Sequence, residues 1–243
     1  MRDHDEPAPR PRPWRGHLEA RVDGITSAVL VFPLLLVYQL GILTGRGQNG
    51  VDILTRSLVA VAERDLSNYL AIMAAMLAVY AATLVLLARR GRFHPRAFAP
   101  ALAESAVYAL SMGTLILFVM DQLLGVTPGL SLGGNAGVDV LVISAGAGFH
   151  EELIFRVGIM GGCAWLLTGI TGPRRAWLGA LVISSLVFAL AHHLGPSGEP
   201  LRWAPLVYRT LAGVFFALVY QIRGFAVAAW THALYDVYVL SLA

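Results

Sequence analysis

Apolar runs of about 20 residues recur along the chain, and short segments between them hold most of its charges. Each run is long enough to cross roughly 30 Å of hydrocarbon as a helix. Runs at about 25–44, 67–88, 101–120, 137–171, 176–194, 204–222 and 225–242 predict seven spans. Strand-length alternation and hairpin spacing are absent, and a backbone in lipid must satisfy its own hydrogen bonds. The expected fold class is therefore all-α, a polytopic transmembrane helical bundle. Residues 50–64 (VDILTRSLVAVAERD) mix apolar and polar positions at helical spacing. They predict an amphipathic helix lying at the interface, with a short eighth span as the alternative. The run at 137–171 is too long for one crossing, because at 1.5 Å per residue it makes roughly 50 Å of helix. It predicts either a helix protruding from the membrane or a break at Gly161 and Gly162.

Composition agrees with this pattern. The chain is 57% hydrophobic and 14% charged, with mean hydropathy +0.66, against about 25% charged residues in a soluble domain. Every basic residue is Arg, and the net charge is +3. In a soluble chain such basicity would suggest nucleic acid. Here most of the arginines fall between the spans, with Arg156 and Arg209 within them, so membrane topology explains the basicity and no nucleic-acid partner is expected. With the N-terminus in the cytoplasm, twelve Arg fall on that side and four (Arg46, Arg56, Arg64, Arg202) on the other. Residues 1–23 form an Arg- and Pro-rich leader, expected to be disordered and too long and acidic for a signal-peptide start. Residues 24–136 would hold the first spans and the interfacial helix, and 137–243 a second unit. Cys163, the single cysteine, has no internal disulfide partner and reads as a small packing residue.

A charge near the bilayer centre costs about 2.5–3.5 kcal/mol on insertion scales, so each one within a span needs a reason. Glu151, Glu152 and Arg156 share one apolar run. Glu152 and Arg156 are spaced i, i+4 in the favourable order for an ion pair. Glu151, rotated about 100° from Glu152, must find other partners. Phe188 and His192 lie one turn apart in a later span, with His193 following, and His232 and Asp236 one turn apart in the last. Taken singly, the first pair reads as a structural clamp, a histidine near a helix end as interfacial, and His232 with Asp236 as a packing pair. Together, three helices deliver polar groups toward one site. A carboxylate and an imidazole around one water make a general base, and a second imidazole can donate to an oxyanion.

Glu-Glu-x-x-x-Arg at 151–156, Phe-x-x-x-His at 188–192 and His-x-x-x-Asp at 232–236 stand in one order. They resemble the three motifs of the CPBP group, the CaaX prenyl endopeptidases and bacteriocin-processing, Abi-type membrane proteases, over about residues 137–240. The resemblance implies that Glu151 activates water with His192 assisting, and that His232 binds the oxyanion helped by residue 236. It also implies that Glu152 and Arg156 support the site and Phe188 packs beside it. The family usually carries Asn where this chain has Asp236. An ionised Asp cannot donate to an oxyanion, so Asp236 is either protonated or an orienter of His232. Many relatives also have Gly where this chain has Val157.

The reading is an intramembrane endopeptidase of the glutamate type without a cofactor. A zinc enzyme with Glu151, His192 and His232 as ligands is the runner-up, and no H-E-x-x-H stands here because Ile154 fills the second His position. The expected partners are the bilayer and a membrane-anchored protein or peptide substrate, and the expected location is a bacterial cytoplasmic (inner) membrane. Helix rise and the arginine count put the site between the midplane and the outer face. That position suits processing or C-terminal sorting of exported proteins, as in the myxosortases that resemble this family, better than cytoplasmic CaaX termini. The competing classes are a proton- or ion-coupled transporter and an inactive membrane scaffold. Against the transporter, no inverted repeat or matched pair of broken helices is visible.

Overall fold

A computed structural model describes residues 22–44, 65–125, 137–194, 198 and 200–241. The amphipathic segment 50–64 and nearly all of the leader lie outside the described residues. Among the described residues there are seven long helices: α1 (Gly24–Leu43), α2 (Leu66–Ala88), α3 (Phe98–Phe118), α4 (Val138–Thr171), α5 (Pro173–Ala191), α6 (Trp203–Arg223) and α7 (Phe225–Ser241). A short turn of 3-10 helix, Pro95–Ala97, leads into α3, and a wide turn at Val119–Leu123 extends it. Among the described residues there is no strand. The all-α bundle expected from the apolar runs is thus the fold, and the helix limits fall within a few residues of those runs.

The first six helices are each long and apolar enough to cross a membrane. Their large apolar side chains face outward in number, Leu86, Leu110, Trp165 and Ile170 among them. A water-soluble protein does not expose such a surface, whereas lipid tails cover it at no cost. Asp23 caps α1 by accepting the Thr26 amide at 2.8 Å, and Asp65 caps α2 through Ser67, also at 2.8 Å.

α7, at 17 residues, is the shortest of the seven and packs against α1, α3, α4 and α6. Its small residues Ala226, Ala228, Ala229 and Ala233 are buried, so neighbouring backbones approach closely. Gly224, at φ 94°, is the only residue between α6 and α7 and turns the chain straight back. That conformation is strained for any residue with a Cβ.

The long run at 137–171 does not break at Gly161 and Gly162. α4 is continuous over 34 residues, and the irregularity lies earlier. Its turns widen to π-type pairing over Ala147–Glu151 and again over Leu153–Met160, and ordinary α-helix resumes at Gly161. Glycine inside a helix costs only about 1 kcal/mol, and α5 packs along this part of α4. Wide turns instead fit an extra residue per turn where side chains must be re-aimed, which is why they gather at functional sites.

Gly148 fixes how closely α4 meets α7. A Cβ there would lie 2.4 Å from the Ala229 carbonyl oxygen and 2.7 Å from the Ala233 Cβ. Gly148→Ala is therefore expected to lose about 1–3 kcal/mol of stability through overpacking. Gly162→Ala, whose Cβ would meet nothing within 4 Å, should be neutral or gain about 0.5–1 kcal/mol. Thermal unfolding of both variants in detergent checks this, and equal melting temperatures would refute the close-packing role.

Candidate active site

The polar residues of α4 are among the most buried in the molecule: Glu152 and Arg156 are at 0% exposure and Glu151 at 4%. Glu152 is the hub. Its Oε2 lies 3.1 Å from Arg156 Nε, one turn along the same helix. Its Oε1 lies 2.9 Å from His232 Nδ1 on α7. Arg156 in turn donates from Nη1 to the Ser184 hydroxyl on α5 at 3.1 Å, and that hydroxyl donates to the Phe155 carbonyl at 2.7 Å. The Arg156 guanidinium also sits 4.9 Å from the Phe188 ring centroid, in range of a cation–π contact. One carboxylate thus links α4, α5 and α7.

Glu151 faces the other way round the helix, toward two imidazoles. His192 Nε2 is 3.6 Å from Glu151 Oε2, and His232 Nε2 is 3.9 Å from the same oxygen. His192 caps the end of α5, where its Nδ1 lies 2.8 Å from the Phe188 carbonyl. With that nitrogen donating, Nε2 is the one that faces Glu151. His232 lies flat on Phe216 of α6, 4.3 Å between centroids with planes 17° apart, and its other side meets Phe188 at 5.9 Å. Asp236 Oδ2 reaches within 3.7 Å of His232 Nε2.

The arrangement opens at one end. Side-chain exposure rises from 5% at Glu151 and His232 to 15% at His192 and 22% at Asp236. Arg209 of α6, half-buried, is within electrostatic reach of His192 and Asp236. It lies two helical turns from Phe216, on the same face. The site therefore has a closed floor, where the Glu152–Arg156 pair is buried beside Phe188, and a more exposed charged rim.

All seven residues singled out in the sequence come together: Glu151, Glu152, Arg156, Phe188, His192, His232 and Asp236. Sequence reasoning missed Ser184, Phe216 and Arg209. Ser184 was legible, since it precedes Phe188 and His192 at i, i+4, i+8 on one face. Arg209 carried the signal of a charge inside a span. Phe216 carried none, because an aromatic in an apolar helix is the rule there.

Removing one partner of a fully buried ion pair leaves an uncompensated charge, at about 3–5 kcal/mol. Arg156→Met is accordingly expected to destabilise the protein by an amount in that range. The double variant Glu152→Gln with Arg156→Met should recover part of it, as thermal unfolding would report. A double variant no more stable than Arg156→Met alone would show that the two residues are not coupled.

Residues 134–238 match the family model described as Type II CAAX prenyl endopeptidase Rce1-like. No curated protein and no solved structure matches the chain. The matched stretch contains every residue of the converged site and runs from the start of α4 almost to the end of α7. Over that stretch, 105 of the 243 residues, the chain is similar to the Rce1-like Type II CAAX prenyl endopeptidases, and six of its described helices are long and apolar enough to cross a membrane.

Proposed function

We propose that the chain is a glutamate-type intramembrane endopeptidase in which Glu151 activates the attacking water. The observation that carries this reading is the convergence of two imidazole Nε2 atoms on Glu151 Oε2, at 3.6 and 3.9 Å. A water seated between Glu151 and His192 can hydrogen-bond to both. Glu151 takes its proton as the oxygen attacks the scissile carbonyl, then returns it to the leaving amine. Both ring nitrogens of His232 face carboxylate oxygens, Glu152 at Nδ1 and Glu151 with Asp236 at Nε2. Nδ1 donates to Glu152 at 2.9 Å, while Nε2 stands beyond hydrogen-bond distance of Glu151 and Asp236, so a proton held there is the donor offered to the developing oxyanion. Asp236, with Oδ2 3.7 Å from that nitrogen, supports a positive charge on the ring rather than serving the oxyanion itself. Glu152 and Arg156 hold the floor rigid, and Phe188 and Phe216 fix the imidazole plane.

Zinc chemistry is the alternative outcome of the test. Ligand atoms of a tetrahedral zinc at about 2.0–2.1 Å lie about 3.3 Å apart. The two Glu151–histidine separations are wider, and no group of three His, Cys, Asp or Glu among the described residues has metal-holding geometry.

The substrate is a polypeptide held in the bilayer by its own anchor, cut where that anchor brings the bond to the rim formed by His192, Asp236 and Arg209. With the arginine-rich segments in the cytoplasm, His192 lies at the outer end of α5. The favoured role is therefore processing or sorting of exported proteins in a bacterial cytoplasmic membrane.

Glu151→Gln is expected to reduce cleavage of a membrane-anchored reporter processed by the native protein by about 10²–10⁴-fold. It should leave insertion and melting temperature unchanged. Cleavage at the native rate would remove Glu151 as the base, and loss of native activity on chelation, restored by zinc, would favour the metal mechanism. Reporter fusions should place the 89–96 segment in the cytoplasm, and an external position would overturn the exported-substrate assignment.

A further inference from the structure

On the side of α4 turned away from Glu151, a cavity of about 1060 Å³ runs between α1, α2 and α4. It follows α1 from Val22 to Leu43, nearly the full height of the membrane, and its lining is almost wholly apolar. α2 borders it loosely. Of that helix only Tyr69 is buried, and its contacts with α1 include Tyr69 to Gln39 (3.2 Å), Tyr80 to the Ala28 carbonyl and the Tyr80 ring to that of Phe32 (5.4 Å between centroids).

Past one end of the cavity, where Asp23 is the charged residue of the lining, lies a basic segment. Arg89, Arg90 and Arg92 follow α2 directly, and all three are exposed. None makes an ion pair with another described residue. The segment that carries them is pinned at the end of the cavity lined by Val22, Asp23, Gly24 and Leu87. The His94 amide donates to the Thr26 hydroxyl at 3.0 Å, that hydroxyl donates to the Arg92 carbonyl at 3.4 Å, and His94 Nε2 stands 4.0 Å from Asp23. A charge bias across the membrane requires arginines on that side. It does not require them to be fastened at the mouth of a helix-long apolar cleft.

We propose that this cleft is a binding site for one anionic phospholipid, its acyl chains along α1 and α2 and its phosphate on Arg89, Arg90 and Arg92. Basic groups at the end of an interhelical pocket recognise anionic headgroups in this way. Phe149, His150 and Leu153 of α4 also line the cleft. The lipid therefore packs against the reverse side of the turn that carries Glu151. The proposal stands apart from the protease mechanism, since it concerns binding alone.

The test uses the full chain in lipid nanodiscs, with phosphatidylglycerol and phosphatidylcholine as probes and native mass spectrometry as readout. Native protein should retain phosphatidylglycerol about tenfold more than phosphatidylcholine. The triple variant Arg89→Gln, Arg90→Gln, Arg92→Gln should lose that preference. Ala75→Trp, which keeps the arginines and fills the cleft, should lose retention of both lipids. Equal retention by native protein, or a preference that survives the triple variant, would overturn the proposal. So would full retention in Ala75→Trp, which would put the lipid on the arginines but outside the cleft. A measurement on the unaltered chain guards against variants that fail to insert. Phosphatidylglycerol with a photoreactive acyl chain should label α1, α2 and the 149–157 stretch of α4, and labelling confined to the other helices would refute the site.

Discussion

The carboxylate of Glu152 has no access to water, and the elements around it are arranged to answer its charge. One oxygen meets Arg156 at 3.1 Å and the other His232 at 2.9 Å. Arg156 passes the constraint to α5 through Ser184. In a low-dielectric interior each of these groups would be costly alone, and together they form a network whose members satisfy one another. Because its members sit on α4, α5 and α7, the network sets the relative position of three helices. Glu151, His192 and His232 ride on those same helices, so their separations follow from a charge balance one residue away.

Two backbone features make that balance reachable. Gly148 removes the Cβ that would hold α4 away from Ala229 and Ala233, letting the two helices close to backbone contact. The wide turns between Ala147 and Met160 then re-aim successive side chains of a single helix. Glu151 points to the imidazoles and Glu152 to Arg156, while His150 lies toward the lipid-side cleft. His150 packs against Tyr38 at 4.8 Å and places its Nδ1 3.2 Å from the Gly146 carbonyl. Three consecutive polar residues therefore have three separate surroundings, only one of which leads to the more exposed rim.

Elsewhere the bundle is held more loosely. A second buried ion pair, Arg223 to Glu104 at 2.7 and 2.9 Å, ties α6 to α3. Tyr108 adds a 2.7 Å hydrogen bond to the same carboxylate. Among the described residues no ion pair ties α2 to α1, and the two meet through Tyr69 with Gln39 and through Tyr80 with Ala28 and Phe32. Among the described residues the buried ion pairs thus lie on α3, α4, α6 and α7, and the apolar cleft lies on the flank formed by α1, α2 and the reverse side of α4.

Span positions, helix type and the three motifs were legible in the sequence. Lipid imposes a length near 20 residues and forbids unpaired backbone, and a charge within a span is rare enough to stand out. The i, i+4 pairing of Glu152 with Arg156 was also local, since helix geometry alone brings those side chains together. The convergence on one Glu151 oxygen was not local. It depends on how near α4 comes to α7 and on where wide turns replace ordinary ones, and both are set by packing between distant segments. The break expected at Gly161 and Gly162 failed for the same reason: local propensity weakens a helix there, and contact with α5 sustains it. Sequence named the residues with chemistry in them, and the tertiary structure determined which of their atoms meet.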